Sequence, residues 1–285
     1  MPWMPEVFTA PIAEARREQD AARANDAVPS YEGIMAEEPD ALVRSFDRQQ
    51  PVLDDPRSGH VEGTGEFASS FVADQAAWLR GQDAVVENVA LTRALTRTVE
   101  EVVLRMLSDQ GERVELPVAV VSDRNPNRTL KAVRVYHSMW PLTGGHRVRP
   151  PLLPKDPSVV VPDVVGEYQR ALAAGDLEAV LATYEEDAYA REPSGGEYVY
   201  RGKEQLREVY CAQFANGGGI PLEHCTVTDD GVRCAIEFNS VRWGVTEIPP
   251  QAGVAVYERG KSGRLAGGRI YDDVAHPAVS DTSMD

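Results

Sequence analysis

The chain repeats itself, and this limits its possible folds more than any other feature. Arg134-Val135-Tyr136 returns as Arg269-Ile270-Tyr271, 135 positions later. Asp54-Asp55-Pro56 is echoed by Arg191-Glu192-Pro193 at an offset of 137, Glu87 by Glu223 at 136, and Glu100 by Glu237 at 137. Four matches in one order, at nearly constant spacing, point to two divergent copies of a module of about 115–120 residues, within the usual range for a domain. Each copy then needs a core of its own, and 42% apolar residues among 285 are enough to build two.

The join between the copies is a stiff connector. Arg149-Pro150-Pro151-Leu152-Leu153-Pro154-Lys155-Asp156-Pro157 holds four prolines in nine residues, and proline disfavours helix and sheet interiors. The expected organisation is an N-terminal arm over 1–28, a first module over 29–148, a linker over 149–160, a second module over 161–278 and a tail over 279–285.

The second copy reads most clearly. After a capping Asp163, residues Val164, Val165, Tyr168 and Leu172 recur at helical spacing. Gly175 ends that helix and Asp176 caps a second, with Leu177, Val180, Leu181 and Tyr184 on one stripe. A short strand over 188–192 closes at Pro193-Ser194-Gly195-Gly196, and a third helix spans 203–214. Four strands follow, near 222–229, 232–243, 252–259 and 264–273, with hairpin-like joins at Asp229-Asp230-Gly231 and Gly260-Lys261-Ser262-Gly263. The first copy repeats the strand half over 84–95, 96–107, 113–122 and 130–138. Its helical start over 30–46 is less regular and contains Pro39. The fold class is α+β: two cone-shaped modules, each a curved antiparallel sheet with about three helices on one face.

With these motifs in view, the second copy resembles the nuclear transport factor 2-like and SnoaL-like superfamily. The residues that carry the resemblance are Val164-Val165-Gly166-Glu167-Tyr168, Ala174-Gly175-Asp176-Leu177, Tyr184-Glu185-Glu186-Asp187-Ala188 and Glu192-Pro193. The first copy joins through Phe46, Asp54-Asp55-Pro56 and Arg134-Val135-Tyr136. The superfamily includes ketosteroid isomerases, polyketide cyclases and epoxide hydrolases. The resemblance implies cones with an apolar pocket between sheet and helices, and two cones paired through their sheets as an internal pseudo-dimer. Further pairing into a homodimer is open.

Candidate site residues follow from the same resemblance. Glu192 stands where the isomerases keep a proton-shuttling carboxylate, and burial at an apolar pocket mouth raises a carboxyl towards a useful range. Its alternative is a strand end facing water. Tyr168 matches the tyrosine that donates to a developing oxyanion, or else fills core. Asp55 is the first copy's counterpart of Glu192, although Asp before Pro is also ordinary turn chemistry. His137 and Asp272 close the last strand of each copy, on the face that lines the pocket in the family, and a His beside an Asp suits acid–base work. In the polyether hydrolase pattern, Glu87 would work with Asp55 and Glu223 with Glu192; the alternative is that both glutamates open solvent-facing strands. The isomerase's second oxyanion donor is missing, since Ala255, and Val120 in the first copy, stand at its place.

Other function classes are poorly supported. A net charge of −16 repels nucleic acid and anionic membrane surfaces. No apolar run nears the length of a membrane span, and no signal peptide is visible. Cys211, Cys225 and Cys234 are too few and too irregular for a disulfide framework, which favours a reducing, cytoplasmic setting. No metal-binding spacing or phosphate loop is present, so no metal or cofactor is expected. The reading from sequence is a cofactor-independent enzyme of isomerase, cyclase or epoxide-hydrolase type, using carboxylates on a small or medium apolar, oxygenated molecule. Its rivals are a non-catalytic binding or assembly protein, and one working module beside a partner kept for packing.

Overall fold

The computed structural model describes Phe46 and residues 51–62, 65–127, 129–193 and 198–276. The expected N-terminal arm, nearly all of the helical start over 30–46 and the tail lie outside these residues. The first half contains β1 (Val52–Asp55), β2 (Gly59–Glu62), α1 (Gly65–Gly81), β3 (Val85–Arg93), β4 (Arg97–Leu107), β5 (Arg113–Arg124), β6 (Leu130–Tyr136) and the short α2 (Trp140–Thr143). The second contains α3 (Asp163–Ala174), α4 (Leu177–Thr183), β7 (Tyr184–Arg191), β8 (Val199–Arg201), α5 (Gly202–Phe214), β9 (Leu222–Asp229), β10 (Arg233–Trp243), β11 (Thr246–Arg259) and β12 (Leu265–Tyr271).

Each half builds one open six-stranded sheet, in the orders β2-β1-β6-β5-β4-β3 and β8-β7-β12-β11-β10-β9. The two orders are the same. Both sheets are mixed rather than wholly antiparallel, because β1 runs parallel to β6 and β7 parallel to β12. A strand that precedes the meander must reach its last strand by a crossover, and crossovers make parallel pairs. Both members of each pair therefore end at the same end of the sheet, which later decides where the carboxylates meet. No helix among the described residues is long and apolar enough to cross a membrane.

Local sequence explains most element ends. The stripe of Val164, Val165, Tyr168 and Leu172 is buried as the spacing predicts. Gly175 closes α3 at φ 69°, where a Cβ would meet the backbone of Gly218 and Gly219 at 2.7–2.9 Å. Asp176 caps α4 by accepting from the Ala179 N–H at 3.0 Å. Tyr184, expected on the helical stripe, instead opens β7. Strand β11 starts at Thr246, ahead of the expected 252, and runs through Pro249-Pro250. The ladder between β10 and β11 shifts register between Ser240 and Arg242, so these prolines lie where pairing is interrupted.

The two sheets pack against each other away from their helices. Val99, Ala119, Val121 and Tyr136 of the first meet Ala235, Ala252, Val254, Val256 and Tyr271 of the second in one apolar cluster, against which Leu152 of the connector packs. Two ion pairs cross this cluster reciprocally. Arg134 donates to Glu237 through Nε at 2.6 Å and Nη2 at 2.9 Å, and the Tyr136 hydroxyl adds a bond at 2.8 Å. In return, Arg269 donates to Glu101 at 2.6 and 2.8 Å, and Tyr271 adds a bond at 2.6 Å. Glu237 thus corresponds to Glu101, not to Glu100 as the sequence spacing suggested. Strand alternation turns Glu100 to the opposite face from Glu101. Burial works to raise the Glu101 carboxyl, but the charge and bonds of Arg269 outweigh it and hold the group below its ordinary range.

The proline-rich connector is pinned along the second sheet. The Arg149 carbonyl accepts from the Ala252 N–H at 2.9 Å, and the Leu153 carbonyl from Asn239 Nδ2 at 3.0 Å.

Candidate active site

The second module encloses a cavity of about 350 Å³ between its sheet and helices α3 and α5. Its walls are mainly apolar and aromatic, and two carboxylates reach it. Glu192 follows the last residue of β7 and Asp272 the last residue of β12. Because those strands are parallel, with Arg191 opposite Arg269, both acids leave the sheet side by side at one end.

Burial sets the chemistry of both acids. It raises the Glu192 carboxyl, while a bond from Gln213 Nε2 at 2.8 Å and the nearby charge of His276 pull the other way. Gln213 lies on α5, and its carbonyl accepts from Trp243 Nε1 at 2.7 Å, which fixes this part of the wall. Burial pushes Asp272 further, to about 7, with the charges of Asp273 and Glu192 adding to the effect and one weak bond from the Val274 N–H at 3.4 Å opposing it. Two acids in one apolar space, both raised by burial, are an arrangement suited to proton transfer.

Beyond the acids lies a network of tyrosines. Tyr168 and Tyr184 each share a hydrogen bond with the Tyr210 hydroxyl, at 2.8 and 2.9 Å. Tyr257 accepts from Gln169 Nε2 at 2.9 Å, and its ring lies 5.0 Å from that of Tyr168. Burial raises all four phenols, so they remain protonated donors. The alternation of β11 places Tyr257 on the same face as Ala255, two residues earlier. A polar donor thus enters the cavity from the strand where the expected one is missing.

The structure places the other expected residues elsewhere. Glu223 faces the opposite way from its neighbour Leu222, which lines the cavity, and binds Lys155 of the connector at 2.9 Å. Glu87 lies on edge strand β3, more than half exposed, and is bound by Arg105 Nε and Nη2 at 3.0 and 2.9 Å. Neither glutamate is brought into a shared pocket with Asp55 or Glu192. The acid beside Glu192 is Asp272.

Asp55 and His137 do come near each other in the first module, by the same parallel-strand geometry. There Asp55 Oδ1 accepts the backbone N–H groups of Arg57 and Ser58 at 2.9 and 2.8 Å, which is turn chemistry. His137 is fully enclosed, its Nδ1 lies 3.0 Å from the Ser138 carbonyl, and burial lowers its pKa despite the charge of Asp55. Asp55 also borders a second cavity, of about 380 Å³, between the β1–β2 turn and the connector rather than inside the cone.

Several wall residues were not among the sequence candidates. Tyr210, Tyr257 and Gln213 read as ordinary members of a helix or strand. Trp140 is another such residue. It belongs to the first module and lines the second module's cavity with His146, its ring stacked on the imidazole at 4.9 Å and 25°. Trp243 and His276 form a second aromatic pair on the wall, edge to face at 4.8 Å. Among the described residues, no group of three His, Cys, Asp or Glu side chains is placed to hold a metal ion.

A family match falls on the second module. Residues 165–272 match the SnoaL-like domain family. No curated protein matches the chain in sequence. Among solved structures, a candidate polyketide cyclase from Sinorhizobium meliloti is 20% identical, with 39% of this chain and 94% of that one covered and a TM-score of 0.33. The epoxide hydrolase/cyclase-like enzyme SalBIII, of pyran ring formation in the polyether salinomycin, is 18% identical, with 40% and 90% covered and a TM-score of 0.34. A cystatin-fold protein from Novosphingobium aromaticivorans is 20% identical, with 38% and 93% covered and a TM-score of 0.33.

Proposed function

We propose that the second module binds a small or medium apolar, oxygenated molecule and moves a proton on it by carboxylate general acid–base catalysis. The reaction class is isomerase, cyclase or epoxide hydrolase. The observation that carries this reading is the pair Glu192 and Asp272 facing one apolar cavity, both raised by burial and Asp272 to about 7. Near neutral pH such a pair is shared between a protonated acid and an ionised base, which is what proton transfer between two substrate atoms requires. The tyrosine hydroxyls supply neutral donors for an oxygen that gains charge in the transition state.

The cavity, at about 350 Å³, is of a size for one or two fused rings rather than an extended chain. Its mainly apolar walls favour ligands that lose little by leaving water. The first module acts in this reading as a packing and wall-forming partner, the two cones forming an internal pseudo-dimer. The Asp55 carboxylate is engaged by its own turn, which supports that division of labour. The test is a substrate screen against wild type, Glu192→Gln and Asp272→Asn. Loss of turnover in both variants supports the assignment; unchanged turnover in either removes that residue from the mechanism.

A further inference from the structure

We propose that His146, carried by the first module, is a proton-accepting residue of the second module's cavity, held in its working tautomer by Asp273. This rests on the reading of that cavity as a proton-transfer site. It narrows the ligand to one with an acidic hydroxyl, a phenol or an enol, on a flat ring.

Asp272 and Asp273 are adjacent, and their side chains part. Asp272 borders the cavity. Asp273 is buried, 5% exposed, and reaches back to the first module. Its carboxylate accepts from Ser138 Oγ at 2.6 Å, the Met139 N–H at 3.1 Å and the Arg147 N–H at 2.8 Å. The fourth contact is His146 Nδ1, at 2.9 Å from Oδ1. A carboxylate already serving three donors acts as acceptor, so the hydrogen of this bond sits on Nδ1. In the neutral ring the basic lone pair then belongs to Nε2, which has no partner among the described residues. The imidazole is flanked by Trp140, and both rings line the cavity beside Asp272.

The step is a simple proton exchange. The ligand O–H bond breaks, its electron pair stays on oxygen, and the proton forms a new bond to Nε2. The resulting imidazolium lies against the Asp273 carboxylate, which offsets its charge. Return of the proton to another ligand atom restores both groups. Trp140 beside the imidazole gives an aromatic or enolised ring an apolar edge to pack against while its hydroxyl meets Nε2. Asp273 is a positioning residue in this scheme, and His146 the group that touches the ligand.

The test is nuclear magnetic resonance of the full chain labelled with ¹⁵N-histidine, with His146→Gln used to assign the signal and β-naphthol as probe. At a pH where the ring is neutral, the expected spectrum shows Nδ1 protonated and Nε2 bare. Saturating β-naphthol moves the Nε2 resonance of His146 and leaves that of His60 in place. Asp273→Asn removes the tautomer preference; should that variant fail to fold, the wild-type spectrum still decides. A proton resident on Nε2, or an Nε2 signal unmoved by bound probe, overturns the proposal. So does a probe that moves His60, which borders the other cavity. Absence of any β-naphthol binding overturns the proposal together with the cavity reading beneath it. A moved Nε2 signal alongside unchanged turnover in Glu192→Gln and Asp272→Asn sinks the carboxylate assignment alone.

Discussion

The two modules share one strand order and one packing face, yet they place the same positions in different chemical settings. In both, a carboxylate stands at the end of a strand that runs parallel to the closing strand, and a titratable residue follows that closing strand. In the second module these are Glu192 and Asp272, in an apolar cavity where burial raises both. In the first they are Asp55, tied down by its own turn, and His137, enclosed with its pKa lowered. The topology brings the two positions together; the surroundings decide what they are able to do. In the first module the backbone N–H groups of Arg57 and Ser58 capture the Asp55 carboxylate in a turn. Glu192 is one methylene longer and is met by the Gln213 side chain instead.

Activity is expected to separate the two modules most strongly. Glu192→Gln and Asp272→Asn are each expected to cost roughly 10²–10⁴-fold in turnover, while Asp55→Asn changes it little. Equal losses in both modules, read by steady-state kinetics on any substrate found, would mean that the first site also works. Next comes the shared interface, where the modules are alike. Glu101→Ala and Glu237→Ala each strand a buried arginine and are expected to cost about 3–5 kcal/mol in urea unfolding. Clearly unequal values would show that the reciprocal pairs are not equivalent. The Arg269–Glu101 pair also weakens in acid, because a carboxyl held below its ordinary range contributes stability above that range and loses it as pH falls.

Asp272 has the opposite sign. Its folded-state pKa of about 7 lies above the ordinary aspartate value, so the folded chain carries a cost that grows from the ordinary range up to about pH 7 and is full above it. Asp272→Asn removes that cost. Melting curves are expected to show it more stable than wild type at about pH 8 by up to about 4 kcal/mol, and little different at about pH 4. No gain at the higher pH would mean that water reaches the group. A smaller effect is expected at the first module's counterpart, where Asp55→Ala leaves two turn N–H groups without their acceptor and costs about 1–2 kcal/mol in urea unfolding. Smallest of all, Glu87→Gln and Glu223→Gln are expected to leave both stability and turnover unchanged, because their partners Arg105 and Lys155 lie in solvent. A loss of turnover in Glu223→Gln would restore it to the site.

The pattern of residues carried the fold a long way. The helical stripe through Val164, Tyr168 and Leu172, the cap at Asp176 and the strands of both meanders stand close to where periodicity puts them, because each is decided by neighbours in sequence. The start of β11 was hidden, since Pro249-Pro250 reads as a strand breaker until the interrupted ladder opposite is known. The acid pair was half legible. Glu192 and Asp272 were visible singly, but Glu223 looked the better partner, and only the parallel pairing of β7 with β12 brings Asp272 to Glu192.

The two modules, their α+β character and the positions of the acids were written in the order of residue types, because periodicity and capping act over a few positions along the chain. The sequence could not decide between Glu100 and Glu101 at the interface, or that a tryptophan and a histidine of one module wall the cavity of the other. Nor could it decide that one acid of two is captured by a turn. Those outcomes depend on burial and on contacts between residues more than a hundred positions apart, such as Ser138 with Asp273. They exist only once the two sheets have packed.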